Sequence, residues 1–173
     1  MPRKHFLTDA SPLVGSDAAA AVIVTEDGRY LLQQRDDKAG IWYPGHWGCF
    51  GGAVSRGETA LRTLKRELAE ELEFRPRALA EFIRFDFDLR RLGGTKVYRA
   101  YYEVTVPAAA VRRFVLHEGA AMRLFSPAQI FRRADITPYD SFALWLHYAR
   151  RRLARPAGGR ARHAKVARRR KGF

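Results

Sequence analysis

Residues 51–74 read GGAVSRGETALRTLKRELAEELEF, and the fold is decided there. Leu61, Leu64, Leu68 and Leu72 follow one another at spacings of three, four and four, which draws one apolar stripe down a helix over residues 59–72. Glu67, Glu70 and Glu71 stand at i, i+3 and i+4, so three carboxylates share a different face within about one turn. Acids off the packing stripe do not fill a core, and like charges this close repel one another. A hard divalent cation such as Mg²⁺ removes that repulsion, because it takes oxygen ligands and suits clustered carboxylates together with phosphate. Arg66 adjoins the cluster and can orient Glu58 or a neighbouring acid through a charge-assisted hydrogen bond. Gly51 and Gly52 allow the backbone close to a ligand or metal and could present a carbonyl to it.

Outward from the helix the pattern is that of strands. On its N-terminal side, residues 19–25 are apolar and β-branched toward their end, Asp27-Gly28 signals a tight turn, and residues 30–34 return as a second strand. Residues 36–46 hold Gly40, Pro44 and Gly45 and read as a loop, and residues 47–50 form a short apolar strand. On the C-terminal side, residues 82–89 and 97–106 read as two long strands. In the first, Ile83, Phe85, Phe87 and Leu89 alternate with Arg84, Asp86 and Asp88, which gives one buried and one wet face. Residues 122–125 make a further short strand. Ser126-Pro127-Ala128-Gln129 reads as a capped helix start, and Thr137-Pro138-Tyr139-Asp140 opens a last helix with Phe142, Trp145, Leu146 and Leu153 available for its apolar side. This order predicts an α+β, α/β/α sandwich with a mixed sheet flanked by helices.

Three zones follow: an irregular segment over residues 1–17, a folded domain over residues 18–153, and a basic tail over residues 154–173. The 173 residues carry a net charge of +14. Residues 150–173 hold eleven Lys or Arg and no acid, which leaves 21 basic residues against 18 acidic ones in the rest. Most of the charge excess thus sits in residues 150–173, the end of the last helix and the tail. With few apolar anchors the tail cannot offset its ordering entropy, and it is expected to be disordered. It has no interleaved aromatics, so weak nonspecific contacts to anionic partners fit it better than base reading. No apolar run approaches the ~18 residues of a membrane span, and residues 1–17 lack the apolar core of a secretory signal, so no membrane insertion and a cytoplasmic location are expected. The single cysteine, Cys49, excludes an internal disulfide.

Residues 52–74 resemble the Nudix box: a glycine, five residues, a glutamate, seven residues, then Arg-Glu-aliphatic-x-Glu-Glu-x-Gly-aliphatic. Gly52 begins it, Glu58 follows at the right distance, and Arg66-Glu67-Leu68-Ala69-Glu70-Glu71-Leu72 completes the charged core, with Phe74 at the last bulky place. One position departs, because the glycine that ends the helix in this family is Glu73 here. The helix should then either continue a little or end under mild strain before Pro76. The resemblance implies a Mg²⁺-dependent hydrolase, with Mn²⁺ as a substitute. Glu67, Glu70, Glu71 and the Gly51 carbonyl would be metal ligands, and a Glu58–Arg66 salt bridge would stiffen the motif. It also implies a catalytic glutamate from a late loop, for which Glu118 in Leu116-His117-Glu118-Gly119 is the candidate. Glu70, Glu71 and Glu118, with Arg66 beside them, are the candidate catalytic groups, and any of the three acids could orient or deprotonate the attacking water. Proteins of this kind are often dimers, so a homodimer is among the expected partners.

For substrate contacts the candidates are Arg35, at the end of a strand, for phosphate, and Trp42 and Trp47, with Tyr43 between them, for stacking on a base. Each also has an ordinary reading, Arg35 as an exposed strand-end charge and the three aromatics as core or loop anchors. Cys49 fits a small buried hydrophobe better than a nucleophile. His46, His117 and His147 share no ligand-like spacing. The preferred substrate is a nucleoside diphosphate linked to a group X, such as a nucleotide sugar. The alternatives are an (oxidised) nucleoside triphosphate cleaved by a MutT-like pyrophosphohydrolase, and a non-catalytic regulator that binds nucleotides or nucleic acid on the same fold.

Overall fold

In the computed structural model, residues 15–153 are described. The expectations for residues 1–14 and for the tail over residues 154–173 lie outside them. The elements run β1 (Ala18–Thr25), β2 (Tyr30–Gln34), β3 (Trp47–Gly48), α1 (Ala60–Leu72), β4 (Ala80–Asp88), β5 (Lys96–Val106), β6 (Ala121–Phe125), α2 (Pro127–Ile130) and α3 (Pro138–Leu153). Single 3₁₀ turns at Arg90–Leu92 and Ala108–Arg113 join the later strands.

The sheet order is β3-β2-β1-β5-β4, with β6 on β2. Strands β1 and β5 run parallel over eight residue pairs, and every other pairing is antiparallel, so the sheet is mixed. Strand β1 lies at its centre, which explains why residues 19–25 are an unbroken apolar run rather than an alternating one: both faces are covered. Ala20, Val22 and Val24 face the core under α3, and Ala19, Ala21 and Ile23 face the core under α1. The sequence thus folds into helices on both sides of a mixed sheet, as the element order implies.

Helix α1 buries Leu64, Leu68 and Leu72 completely, each contributing about 1.5–3 kcal/mol of apolar transfer. It starts at Thr59, whose hydroxyl accepts from the Arg62 N–H, and stops at Glu73 in the left-handed region at φ 52°. The Glu73 and Phe74 N–H groups both return to the Leu68 carbonyl, so the helix ends where glycine would end it, with strain in place of continuation.

Helix α3 differs from the expectation. Phe142, Trp145 and Leu153 are 53%, 51% and 86% exposed, whereas Asp140, Ala143, Leu144 and His147 are buried. The buried set has the same helical spacing as the apolar one, and two of its members are polar. Tertiary partners meet that cost: Asp140 accepts from four groups, and His147 Nδ1 lies 2.9 Å from the Tyr30 hydroxyl.

Candidate active site

The segment between β3 and α1 lies against β1, where Ala21 donates to the Phe50 carbonyl at 2.8 Å and Ala19 to the Gly52 carbonyl at 3.0 Å. Gly51 takes φ +131° there, and a side chain on it would put Cβ 2.2 Å from the Ala19 carbonyl oxygen. A Cβ on Gly52 would sit 2.5 Å from the Glu67 carboxyl. Both glycines are therefore set by close approach: one of backbone to backbone, the other of backbone to an acid.

Arg66 fastens the acidic face of α1 to the preceding loop. Its Nη2 meets Glu58 Oε2 at 3.2 Å, and its Nη1 meets Glu67 Oε1 at 2.8 Å and Glu70 Oε2 at 2.9 Å. The Thr63 hydroxyl also donates to Glu58, and the hydrogen bonds from Arg66 and Thr63 hold the Glu58 carboxyl below its ordinary range. The Glu58–Arg66 ion pair implied by the resemblance is present.

Glu71 lies deeper, 4% exposed. One oxygen accepts from the Gly51 N–H at 3.0 Å, and the other has only the Gln33 amide at 3.4 Å. Burial, reinforced by the charges of Glu67 and Glu118, pushes this carboxyl up to about 8. Burial also raises Glu67. Glu118 reaches the same place because its loop is hydrogen-bonded to the end of α1. The His117 N–H donates to the Glu71 carbonyl at 2.9 Å and the Val115 N–H to the Leu72 carbonyl at 3.4 Å, satisfying carbonyls that a helix end leaves open.

These acids border a cavity of about 580 Å³, whose lining includes Glu67, Glu71, Glu118, Gly51 and Gly52. Glu70 is absent from the lining, and its side chain is 59% exposed because Arg66 draws it outward. Consistent with this, among the described residues no three His, Cys, Asp or Glu side chains are already gathered as a metal cage. The donor set nonetheless suits a hard cation: mutually repelling carboxylates, two of them raised by burial, in one cavity lining.

Of the substrate-contact candidates, Arg35 and Trp42 line the cavity, and the Arg35 Nε–H donates to the Trp42 carbonyl at 2.8 Å. Trp47 does not. It is 7% exposed and packs edge-on against Phe125 at 4.8 Å in the core under α3, so it anchors the fold and does not serve as a ligand contact. Tyr43 turns through a left-handed backbone at φ 53° and meets Tyr139 edge-on. Cys49 is buried, and burial raises its thiol well above the ordinary value, as befits a packing residue. Sequence reasoning missed Tyr98, Arg99 and Tyr139, which also line the cavity, and Asp140 behind them. A signal for Arg99 existed: it alternates in phase with Val97 and Tyr101 on a strand whose Tyr101 is fully buried, and an inward arginine needs a carboxylate.

A family model for the NUDIX domain matches residues 15–146. Among curated proteins, the nucleoside triphosphatase NudI of Escherichia coli (strain SE11) is 42% identical over 50 residues, 29% of this chain and 35% of that protein. The chain thus spans about a third of the length of the curated relatives it matches. Among solved structures, the MutT protein of Methanosarcina mazei superposes with a TM-score of 0.63 at 21% identity, covering 79% of this chain and 94% of that one. The NUDIX domain of Shewanella oneidensis NrtR, complexed with ADP ribose, gives 0.59 at 18% identity, over 87% and 94%. The dihydroneopterin triphosphate pyrophosphohydrolase of E. coli gives 0.59 at 24%, over 79% and 95%. These three share the fold.

Proposed function

The chain belongs to the Nudix family, and on that premise we propose that it is a pyrophosphohydrolase acting on a nucleoside diphosphate linked to a group X, with Mg²⁺ or Mn²⁺ as its cofactor. The observation that carries the reading is the convergence of Glu67 and Glu71 from α1 with Glu118 from the late loop in one cavity lining, together with Arg35 and Trp42.

The reaction is an anhydride hydrolysis. Water attacks one phosphorus, the bridging P–O bond breaks, and the products are a nucleoside monophosphate and phosphorylated X, with the water supplying the oxygen and the proton. Glu67, Glu70, Glu71 and the Gly51 carbonyl would hold the cation. When bound, it would neutralise the phosphoryl oxygens and acidify water. Arg66 holds Glu58, Glu67 and Glu70 in place, so removing it loosens the loop and the helix together. Glu71 and Glu118, which line the cavity, would take a proton from the attacking water. Arg35 supplies a fixed positive charge for a substrate phosphate, and Trp42 an apolar ring for a base or sugar.

A nucleotide sugar remains the preferred substrate, since a cavity of this size has room for more than a phosphate. A nucleoside triphosphate is the second reading, favoured by the likeness to the nucleoside triphosphatase NudI. Both readings are tested by incubating the chain with nucleotide sugars and nucleoside triphosphates in Mg²⁺ or Mn²⁺, and measuring the phosphate released by a coupled phosphatase. Hydrolysis of one class that stops on chelation supports the reading. Turnover unaffected by chelation overturns the metal-dependent mechanism, and no turnover of either class overturns the hydrolase reading and favours the non-catalytic regulator.

A further inference from the structure

Beside the acids, the cavity wall contains an arginine in an unusual setting. Arg99 sits on β5, paired with Ala18 of β1 and Phe85 of β4, so its side chain leaves the middle of the sheet. That side chain is 15% exposed, and a guanidinium so enclosed needs a carboxylate. Asp140, 1% exposed at the start of α3, provides it.

The geometry of that pairing fixes which part of the guanidinium is used. The Arg99 Nε–H donates to Asp140 Oδ1 at 3.2 Å and to the Tyr101 hydroxyl at 3.1 Å, and Nη2 lies 3.2 Å from the same Oδ1. Asp140 has no capacity to spare. Oδ1 also accepts from the Tyr101 hydroxyl at 2.8 Å, and Oδ2 accepts from the Cys49 N–H at 2.9 Å and the Thr137 hydroxyl at 2.8 Å. The Tyr139 ring lies 4.8 Å from the guanidinium carbon and steadies its plane. The Nε/Nη2 side of the fork is therefore pinned. The end-on pair, Nη1 and the second Nη2 hydrogen, donates to no group among the described residues. Arg99 lines the cavity, so that pair is left for what the cavity holds.

We propose that the end-on fork of Arg99, held in place by Asp140, reads the nucleobase and selects bases with two adjacent acceptors on one edge, namely guanine (O6 and N7) and cytosine (O2 and N3). Adenine sets a donor beside each acceptor on its N6 edges, and uracil interposes N3–H between its two carbonyls, so neither satisfies both hydrogens. Trp42, Tyr98 and Phe87 of the same lining supply apolar surface against the base plane. The inference rests on the reading of the cavity as a nucleotide site, and it concerns which base is taken, not whether a phosphate bond is cut. Asp140 acts here as a positioning residue.

The test is equilibrium binding of GMP, CMP, AMP and UMP to the whole chain by calorimetry, with kcat/KM measured in parallel on the four nucleoside triphosphates in Mg²⁺. One good bidentate pair is worth roughly 5- to 150-fold between bases. GMP and CMP should bind tighter than AMP and UMP by a factor in that range. Arg99→Lys keeps a cation against Asp140 but has no fork, and should bring the G-to-A ratio close to one without lowering the melting temperature much. The 7-deaza analogue of GMP lacks the N7 acceptor. It should bind more weakly than GMP to the parent protein and equally to the lysine variant, an equality that a merely structural Arg99 would not produce. Indifference of the parent protein to the base, or a preference that survives Arg99→Lys, overturns the proposal. Base-selective binding without any hydrolysis would sink the hydrolase reading and leave the base-reading site standing. Hydrolysis without base preference would do the reverse.

Discussion

Asp140 and Glu71 are both buried carboxylates, and the protein treats them in opposite ways. Asp140 is surrounded by donors: a guanidinium, two hydroxyls and a backbone N–H, contributed by residues 99, 101, 137 and 49. Glu71 has one good donor, the Gly51 N–H, and faces two further acids. The first acid is satisfied by the fold itself and belongs to its structure. The second is left short of positive charge among the described residues, and burial, with Glu67 and Glu118 beside it, pushes its carboxyl up to about 8. A buried acid with all its lone pairs occupied marks architecture, and one with lone pairs to spare marks a place for a cation.

The largest effect separating the two should appear in catalysis. Glu71→Gln preserves size and an acceptor for Gly51 while removing the charge, and it should lower kcat by about 10²–10⁴-fold. Its unfolding midpoint in urea should not fall. Steady-state rates of the variant beside the parent measure this, and a loss under tenfold would place Glu71 with Asp140 as a structural acid.

Asp140→Ala is the reciprocal experiment. It leaves the Arg99 charge enclosed without a partner and three other donors unmet, and should cost about 3–5 kcal/mol of stability in urea unfolding. A cost below about 1 kcal/mol would mean that water reaches Arg99 and that the contrast with Glu71 is one of degree.

The contrast also has a pH signature in metal-free protein. The folded-state carboxyl of Glu71 titrates near 8 and the unfolded one near 4.5, so the native state holds the proton more tightly. Stability from this group is therefore full below about pH 4.5, falls as pH rises, and levels off above about 8. The loss across that window should be about 2–4 kcal/mol, measured by urea unfolding in chelator at a series of pH values. Glu71→Gln should flatten the profile. Saturating Mn²⁺ should restore the parent at high pH and release a proton near neutrality, and a parent profile already flat in chelator would remove the premise of a donor-starved acid.

The two acids were unequally legible in the sequence for a physical reason. Glu71 sits in a local pattern: helical periodicity brings Glu67 and Glu70 beside it, and Gly51 and Gly52 fall within about 20 residues. Arg35 and Trp42 are legible by residue type and place, a charge at a strand end and an aromatic ring in a loop. Asp140 takes partners 41 and 91 positions away, and no local pattern signals them. The difference over which face of α3 is buried has the same root. Phe142 and Trp145 make a stripe as regular as that of Asp140, Ala143, Leu144 and His147, and hydrophobicity alone chooses the wrong one. The choice turns on Arg99 and Tyr30, which supply polar partners for the inward face, and both come from strands distant in sequence. Between the stacking and core readings of Trp47 the sequence cannot choose, because its burial depends on β3 packing against Phe125, a contact that only the β2–β6 pairing creates.

The smallest effect concerns the residue that ends the acidic helix. Glu73 occupies a left-handed conformation at φ 52°, where a side chain costs about 1 kcal/mol relative to glycine. Its carboxylate recovers part of that through His117 Nε2 at 2.8 Å, but both side chains are about half exposed, and such a pair contributes between nothing and ~1 kcal/mol. Glu73→Gly should therefore stabilise the protein by about 0.5–1 kcal/mol in urea unfolding. The backbone bonds from residue 117 to the Glu71 carbonyl and from residue 74 to Leu68 do not involve the Glu73 side chain, so Glu118 should keep its position and turnover should stay near that of the parent. If the glycine variant were instead less stable and slower, the Glu73–His117 contact would be what holds the Glu118 loop to α1, and the third acid would depend on a surface ion pair rather than on the helix end.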